Sequence, residues 1–167
     1  MLNPGFVSVL VVDDHAGTRA GVVSLIEAER PRMGCVGTAA TAGEALARTR
    51  ALQPNVIVLD VNLEGEDGLA LIPALHHAAV CAVVVLTSLQ DASVAAHAER
   101  LGAHACLHKA APAAELMAAI FAARLPDAVA APAAAPAKRG GVFSHAIGTN
   151  YPELTGKSAG APGRHAV

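Results

Sequence analysis

Tryptophan is absent from these 167 residues, and the aromatic side chains Phe and Tyr number three and one. Any core must therefore be built from valine, leucine and isoleucine. A basic stripe is missing as well: 12 Lys and Arg against 14 Asp and Glu give a formal charge of −2, which offers no electrostatic footprint for nucleic acid. No apolar run approaches the roughly 20 residues of a membrane-spanning helix; the longest uncharged one runs from Ala78 to Leu86. The first dozen residues lack the basic region and cleavage site of a secretory signal. Cysteine is scarce. Cys35, Cys81 and Cys106 are odd in number, far apart and set in apolar surroundings, so they are expected as buried free thiols rather than a disulfide frame or metal site. A cytoplasmic protein with no membrane contact is the expectation. The length allows one domain of ordinary size with an appendage.

What is present is a repeated alternation. Phe6–Val12, Cys35–Ala39, Val56–Asp60, Ala82–Thr87 and Ala105–His108 are short, nearly continuous apolar runs, as expected of strands covered on both faces. Between them lie helical patterns. Thr18–Glu29 carries Val22, Leu25 and Ile26 on one face. Thr41 with Glu44 reads as a capping box for a helix reaching about Leu52. After a glycine-bearing loop at Asn62–Gly68, a third helix carries Leu69, Ile72 and Leu75, with Pro73 expected to kink or shorten it. Asp91 is the N-cap of a fourth helix that closes at Gly102, and Pro112 is the first residue of a fifth that ends near Leu125. Five strand–helix units with short connections predict an α/β domain over residues 1–125, a parallel sheet with helices on both faces. Residues 126–167 turn Ala/Pro-rich and then Gly-, Ser- and Thr-rich, and are expected to be a linker and disordered tail rather than a second domain.

Polar residues stand at the C-terminal ends of four of the five strands: Asp13-Asp14 after the first, Asp60 after the third, Thr87 after the fourth and Lys109 after the fifth. A parallel sheet gathers those ends along one edge, where open α/β sheets place ligands. Three carboxylates about 5 Å apart repel by roughly 3 kcal/mol per pair at an effective dielectric near 20. Such a cluster calls for a cation, and oxygen-only donors select a hard one such as Mg²⁺. With Lys109 and the Thr87 hydroxyl beside it, the same cluster suits phosphoryl transfer to a carboxylate nucleophile at Asp60. His76-His77, His97, His104 and His108 lie on different elements without ligand spacing and read as solvated or capping side chains. His15, next to the acid pair, carries no assigned catalysis.

Val11-Val12-Asp13-Asp14, Val58-Leu59-Asp60, Asp67-Gly68-Leu69, Leu86-Thr87-Ser88, Gly102-Ala103 and Lys109, in this order, resemble a CheY-like response-regulator receiver domain over about residues 5–125. The resemblance implies a flavodoxin-like (βα)5 fold with strand order 2-1-3-4-5. It also implies Asp60 as phosphoacceptor, Mg²⁺ held by Asp13, Asp14, Asp60 and the backbone carbonyl of Asn62, and Thr87 and Lys109 on the phosphoryl oxygens. The implied partners are a sensor histidine kinase or phosphotransfer protein, an output protein of unknown kind, and a second copy as a candidate through the last helix and fifth strand; direct DNA binding is not expected. The Lys109–Leu116 segment is similar to receivers of the LuxR/NarL type. Two departures stand out. Cys106 occupies a place where an aromatic residue often couples phosphorylation to the far surface, and Glu64 stands where proline is common, expected to alter only loop rigidity. Competing readings are a receiver-like interaction module that works unphosphorylated, the remnant of a DNA-binding regulator without its output domain, and a flavodoxin-like nucleotide binder or aspartyl-phosphate phosphatase. Asp13-Asp14 disfavours a bound phosphate after the first strand, and Asn62 stands where the phosphatase needs a second acid.

Overall fold

The structure, a computed structural model, describes residues 5–89 and 91–124. The expected tail at 126–167 lies outside the described residues, while the last helix, expected to end near Leu125, ends at Ala123. In chain order the elements are β1 (Val7–Val12), α1 (Ala16–Ala28), β2 (Met33–Ala39), α2 (Ala42–Leu52), β3 (Val56–Asp60), β4 (Asn62–Leu63), β5 (Glu66–Asp67), a 3₁₀ turn (Gly68–Leu71) leading into α3 (Ile72–Ala78), β6 (Ala82–Thr87), α4 (Ala92–Arg100), β7 (Ala105–His108) and α5 (Ala113–Ala123). Five strands pair in parallel in the order β2-β1-β3-β6-β7. With the two-residue hairpin β4–β5 set aside, this is the flavodoxin-like order 2-1-3-4-5.

Alternation of side chains along each strand divides the core into two layers. Val7, Val9, Val11, Val56, Val58, Val84 and Leu86 face one way, onto Val22 and Ile26 of α1 and Leu116, Met117 and Ile120 of α5. Leu10, Val12, Ile57, Leu59, Val83 and Val85 face the other, onto Ala45 of α2, Ile72 and Leu75 of α3 and Ala98 of α4. Burial on both faces explains why β1 and β3 are almost wholly apolar. Ser8, the polar residue of β1, is satisfied by Asn55: its backbone and hydroxyl both donate to Asn55 Oδ1 at 2.9 Å, and its oxygen accepts from the Asn55 N–H at 3.0 Å.

Several boundaries depart from the sequence reading. α1 begins at Ala16 rather than Thr18, and Leu25 points outward at 38% exposure while Val22 and Ile26 carry the buried face. β2 begins two residues early, at Met33, because Met33 is itself fully buried. Thr41 caps α2 by accepting from the Glu44 N–H at 3.2 Å, but Glu44 reaches back to the Ala40 N–H at 2.9 Å, one residue outside a reciprocal box. Pro73 does not kink a helix. It sits in the first turn of α3, where a missing N–H costs no intrahelical bond. Pro112 is the N-cap of α5 rather than its first helical residue. Asp91 accepts from the Ser93 N–H at 2.8 Å as the N-cap of α4, and Gly102 follows its C-cap at φ +99°. Cys81 is buried, with its thiol pushed up to about 11 by desolvation. Cys35 and Cys106, expected buried, are only half-buried because their strands form the two sheet edges.

Burial differences give a direct check. Ile57→Ala should destabilise the fold by about 2–5 kcal/mol in urea melts, whereas Leu25→Ala should cost under about 1 kcal/mol.

Candidate functional site

β1, β3 and β7 deliver three ionised side chains to the sheet edge. Asp13 follows β1 and Asp60 closes β3; both are buried, at 2% and 4% exposure. Lys109 follows β7, and its backbone N–H continues the ladder onto the Thr87 carbonyl at 2.8 Å. Its ammonium lies between the two acids, donating to Asp13 Oδ2 at 2.9 Å and to Asp60 Oδ2 at 2.7 Å. Burial opposes the charge on Lys109, but the hydrogen bonds to Asp60 and Asp13 outweigh it and hold the ammonium above the ordinary lysine value. The remaining oxygens are also oriented: Asp13 Oδ1 accepts from the His15 N–H at 2.8 Å, and Asp60 Oδ1 from the Asn62 N–H at 3.3 Å.

Asp14 stands beside this pair, less deeply buried. Its Oδ1 lies 2.8 Å from His15 Nδ1 and its Oδ2 accepts from the Glu64 N–H at 3.0 Å. The His15 hydrogen bond and then the Glu64 bond hold its carboxyl below the usual range. The Glu64 contact corrects the expectation that this residue affects only loop rigidity. A proline there would lack the donor and could not adopt the observed φ of +52°.

Asp13, Asp14 and the ring of His15 place ligand atoms within 4.8 Å of one another. His15 entered the site without any sequence signal beyond adjacency; its side chain is 72% exposed. With Asp13, Asp14 and Asp60 ionised and Lys109 protonated, three negative charges face one positive. The net charge of −2 and the carboxylate donors fit a hard divalent cation.

Thr87 is buried, and its Oγ1 accepts from the Leu89 N–H at 3.0 Å. It borders an open recess of ≈ 410 Å³ shared with Asp60, Asn62 and Asp67. No side-chain hydrogen bond joins Thr87 to Asp60 or Lys109 among the described residues; what the structure brings together directly is Asp13, Asp60 and Lys109. Gly68 is tied to the same edge. Its N–H donates to the Val61 carbonyl at 2.6 Å, and an added Cβ would collide with the Asp60 carbonyl oxygen. In place of an aromatic side chain at Cys106 there is a further recess of ≈ 500 Å³, also bordered by Thr87.

The family model for the response regulator receiver domain matches residues 9–121. The chain is 39% identical over 108 residues to a protein-glutamate methylesterase/protein-glutamine glutaminase of Moorella thermoacetica, covering 64% of this chain and 25% of that protein. It is 45% identical over 65 residues to the DNA-binding transcriptional activator DevR/DosR of Mycobacterium tuberculosis, covering 39% of this chain and 30% of that one. It thus spans only about a quarter to a third of these curated relatives. Among solved structures, the signal receiver domain of the putative response regulator NarL from Mycobacterium tuberculosis superposes with a TM-score of 0.67 at 27% identity, over 72% of this chain and 98% of that one.

Two substitutions probe the geometry. Lys109→Met strands two buried carboxylates and should cost roughly 3–5 kcal/mol in EDTA, part of which Mg²⁺ restores. Because the folded lysine value is raised, its contribution is complete below the unfolded value near ~10.4 and is lost as pH rises through the folded one. On the alkaline side, the stability gap between wild type and Lys109→Met should therefore persist to about pH 10 and close above it. Gly68→Ala drives a Cβ into backbone and should destabilise by about 2 kcal/mol or more in the same melts.

Proposed function

The chain belongs to the response regulator receiver family, and on that premise we propose that it is a phosphoacceptor switch whose acceptor is Asp60. The observation that carries this reading is the buried Asp60 carboxylate, aligned by Lys109 at 2.7 Å in a site of net charge −2. An Asp60 oxygen attacks the phosphorus of a phosphohistidine on a sensor kinase or phosphotransfer protein. The P–N bond breaks as the P–O bond forms, leaving an acyl phosphate and a free imidazole. Asp13, Asp14, Asp60 and the Asn62 carbonyl would hold Mg²⁺, which supplies positive charge against the incoming phosphoryl oxygens. Lys109 moves its hydrogen bond from the Asp60 carboxylate to a phosphoryl oxygen while keeping Asp13. The Thr87 hydroxyl, which accepts from the Leu89 N–H, retains a proton to donate.

Phosphorylation then shifts a conformational equilibrium at the β6 and β7 ends and alters a partner surface near β7 and α5. An output protein of unknown kind or a second copy of the chain reads that surface; the domain itself turns over no substrate. No helix among the described residues is long and apolar enough to cross a membrane.

Incubation with acetyl phosphate and Mg²⁺ should add the mass of one phosphoryl group, with none added to Asp60→Asn or in EDTA. An unmodified wild type, or undiminished modification of Asp60→Asn, contradicts the proposal.

A further inference from the structure

We propose that His108 is a positioning residue that sets the Thr87 hydroxyl and the Lys109 segment in register, an inference that rests on the phosphoacceptor reading. The β6–β7 ladder pairs Thr87 with His108 and ends at the Lys109 N–H bond to the Thr87 carbonyl. Beyond that bond the two strands pass into separate loops, and the His108 ring spans them. Its Nε2 lies 3.1 Å from the Ser88 carbonyl oxygen, and its Nδ1 lies 3.1 Å from the Ala110 backbone nitrogen.

Chemistry assigns the proton. A carbonyl oxygen only accepts, so Nε2 must carry the hydrogen; a backbone N–H only donates, so Nδ1 must be bare. The ring is thus the neutral Nε2–H tautomer, bound at both nitrogens. The peptides it grips are not arbitrary. The Ser88 carbonyl and the Leu89 N–H belong to one planar peptide unit, and that N–H is the group donating to Thr87 Oγ1 at 3.0 Å. Holding the carbonyl at one end of a rigid plane sets the N–H at the other, and with it the hydroxyl rotamer of Thr87. The Ala110 N–H likewise belongs to the peptide that leaves Lys109. One imidazole therefore fixes the peptide that orients one phosphoryl ligand and the peptide that carries the other. In a chain with Cys106 in place of the usual aromatic side chain, this bridge supplies a link between the two loops next to the site.

Two variants separate the bridge from the local turn. Asparagine can still accept from Ala110 but is too short to reach Ser88; glutamine can reach Ser88 with a donor. With acetyl phosphate and saturating Mg²⁺, His108→Asn should be phosphorylated roughly fivefold more slowly, the effect of one hydrogen bond felt in full at the transition state, with its acetyl phosphate KM near wild type and its melting transition lowered by no more than a few degrees. His108→Gln, which regains the Ser88 end of the bridge but not the Ala110 end, should recover only part of the rate, and full recovery would reduce the bridge to its Ser88 end alone. Nitrogen-15 NMR of the unmodified protein should show the Nε2–H tautomer and a slowly exchanging Ala110 amide. Equal rates for wild type and His108→Asn, no recovery in His108→Gln, or an Nδ1–H tautomer each overturn the inference. An unphosphorylated wild type overturns the phosphoacceptor reading instead, and the tautomer measurement still decides the bridge.

Discussion

The Lys109 ammonium, shared between Asp13 and Asp60 at 2.9 and 2.7 Å, is the interaction on which the site depends. Two carboxylates this deeply buried repel each other and lose hydration, and neither cost is offset by apolar packing. Their partner comes from a residue 96 positions from one and 49 from the other. Only the parallel sheet, with β3 between β1 and β6 and with β7 beyond β6, brings these strand ends to one edge. The fold is thus a condition of the charge balance, and the charge balance is incomplete. A net of −2 persists around Asp60, which suits a site that takes up a divalent cation together with an anionic group.

The architecture was legible because both faces of the sheet are covered. Continuous apolar runs ending in polar residues have few alternatives to strands of a covered parallel sheet; all five proved to be parallel strands, with β1, β3 and β6 buried and the edge strands β2 and β7 only partly so. Four strand ends with acids, a threonine and a lysine then located the edge. Details governed by contacts between distant residues were not legible. Leu25 fits the helical spacing of Val22 and Ile26, yet lies at the rim of the α1 contact. The β4–β5 hairpin has only two residues per strand, too short for any period to register.

The departures from the family pattern carry different weight. Glu64, read as a matter of loop rigidity, donates a backbone hydrogen bond to Asp14, which sequence could not reveal because the donor belongs to the main chain. His15 gave no sign beyond adjacency, since ring orientation decides its contact with Asp14. Cys106 leaves a recess beside Thr87, and the His108 ring links the neighbouring loops by hydrogen bonds.

The central claim is that Asp13, Asp14 and Asp60, offset by a single lysine, form a site for one divalent cation at the phosphoacceptor. Calorimetric titration with Mg²⁺ tests it most directly. One ion should bind per chain, and Asp14→Ala should weaken binding tenfold or more, the scale on which metal sites respond to loss of supporting groups. Unchanged Mg²⁺ affinity in Asp14→Ala, or no saturable binding by the wild type, would contradict the account.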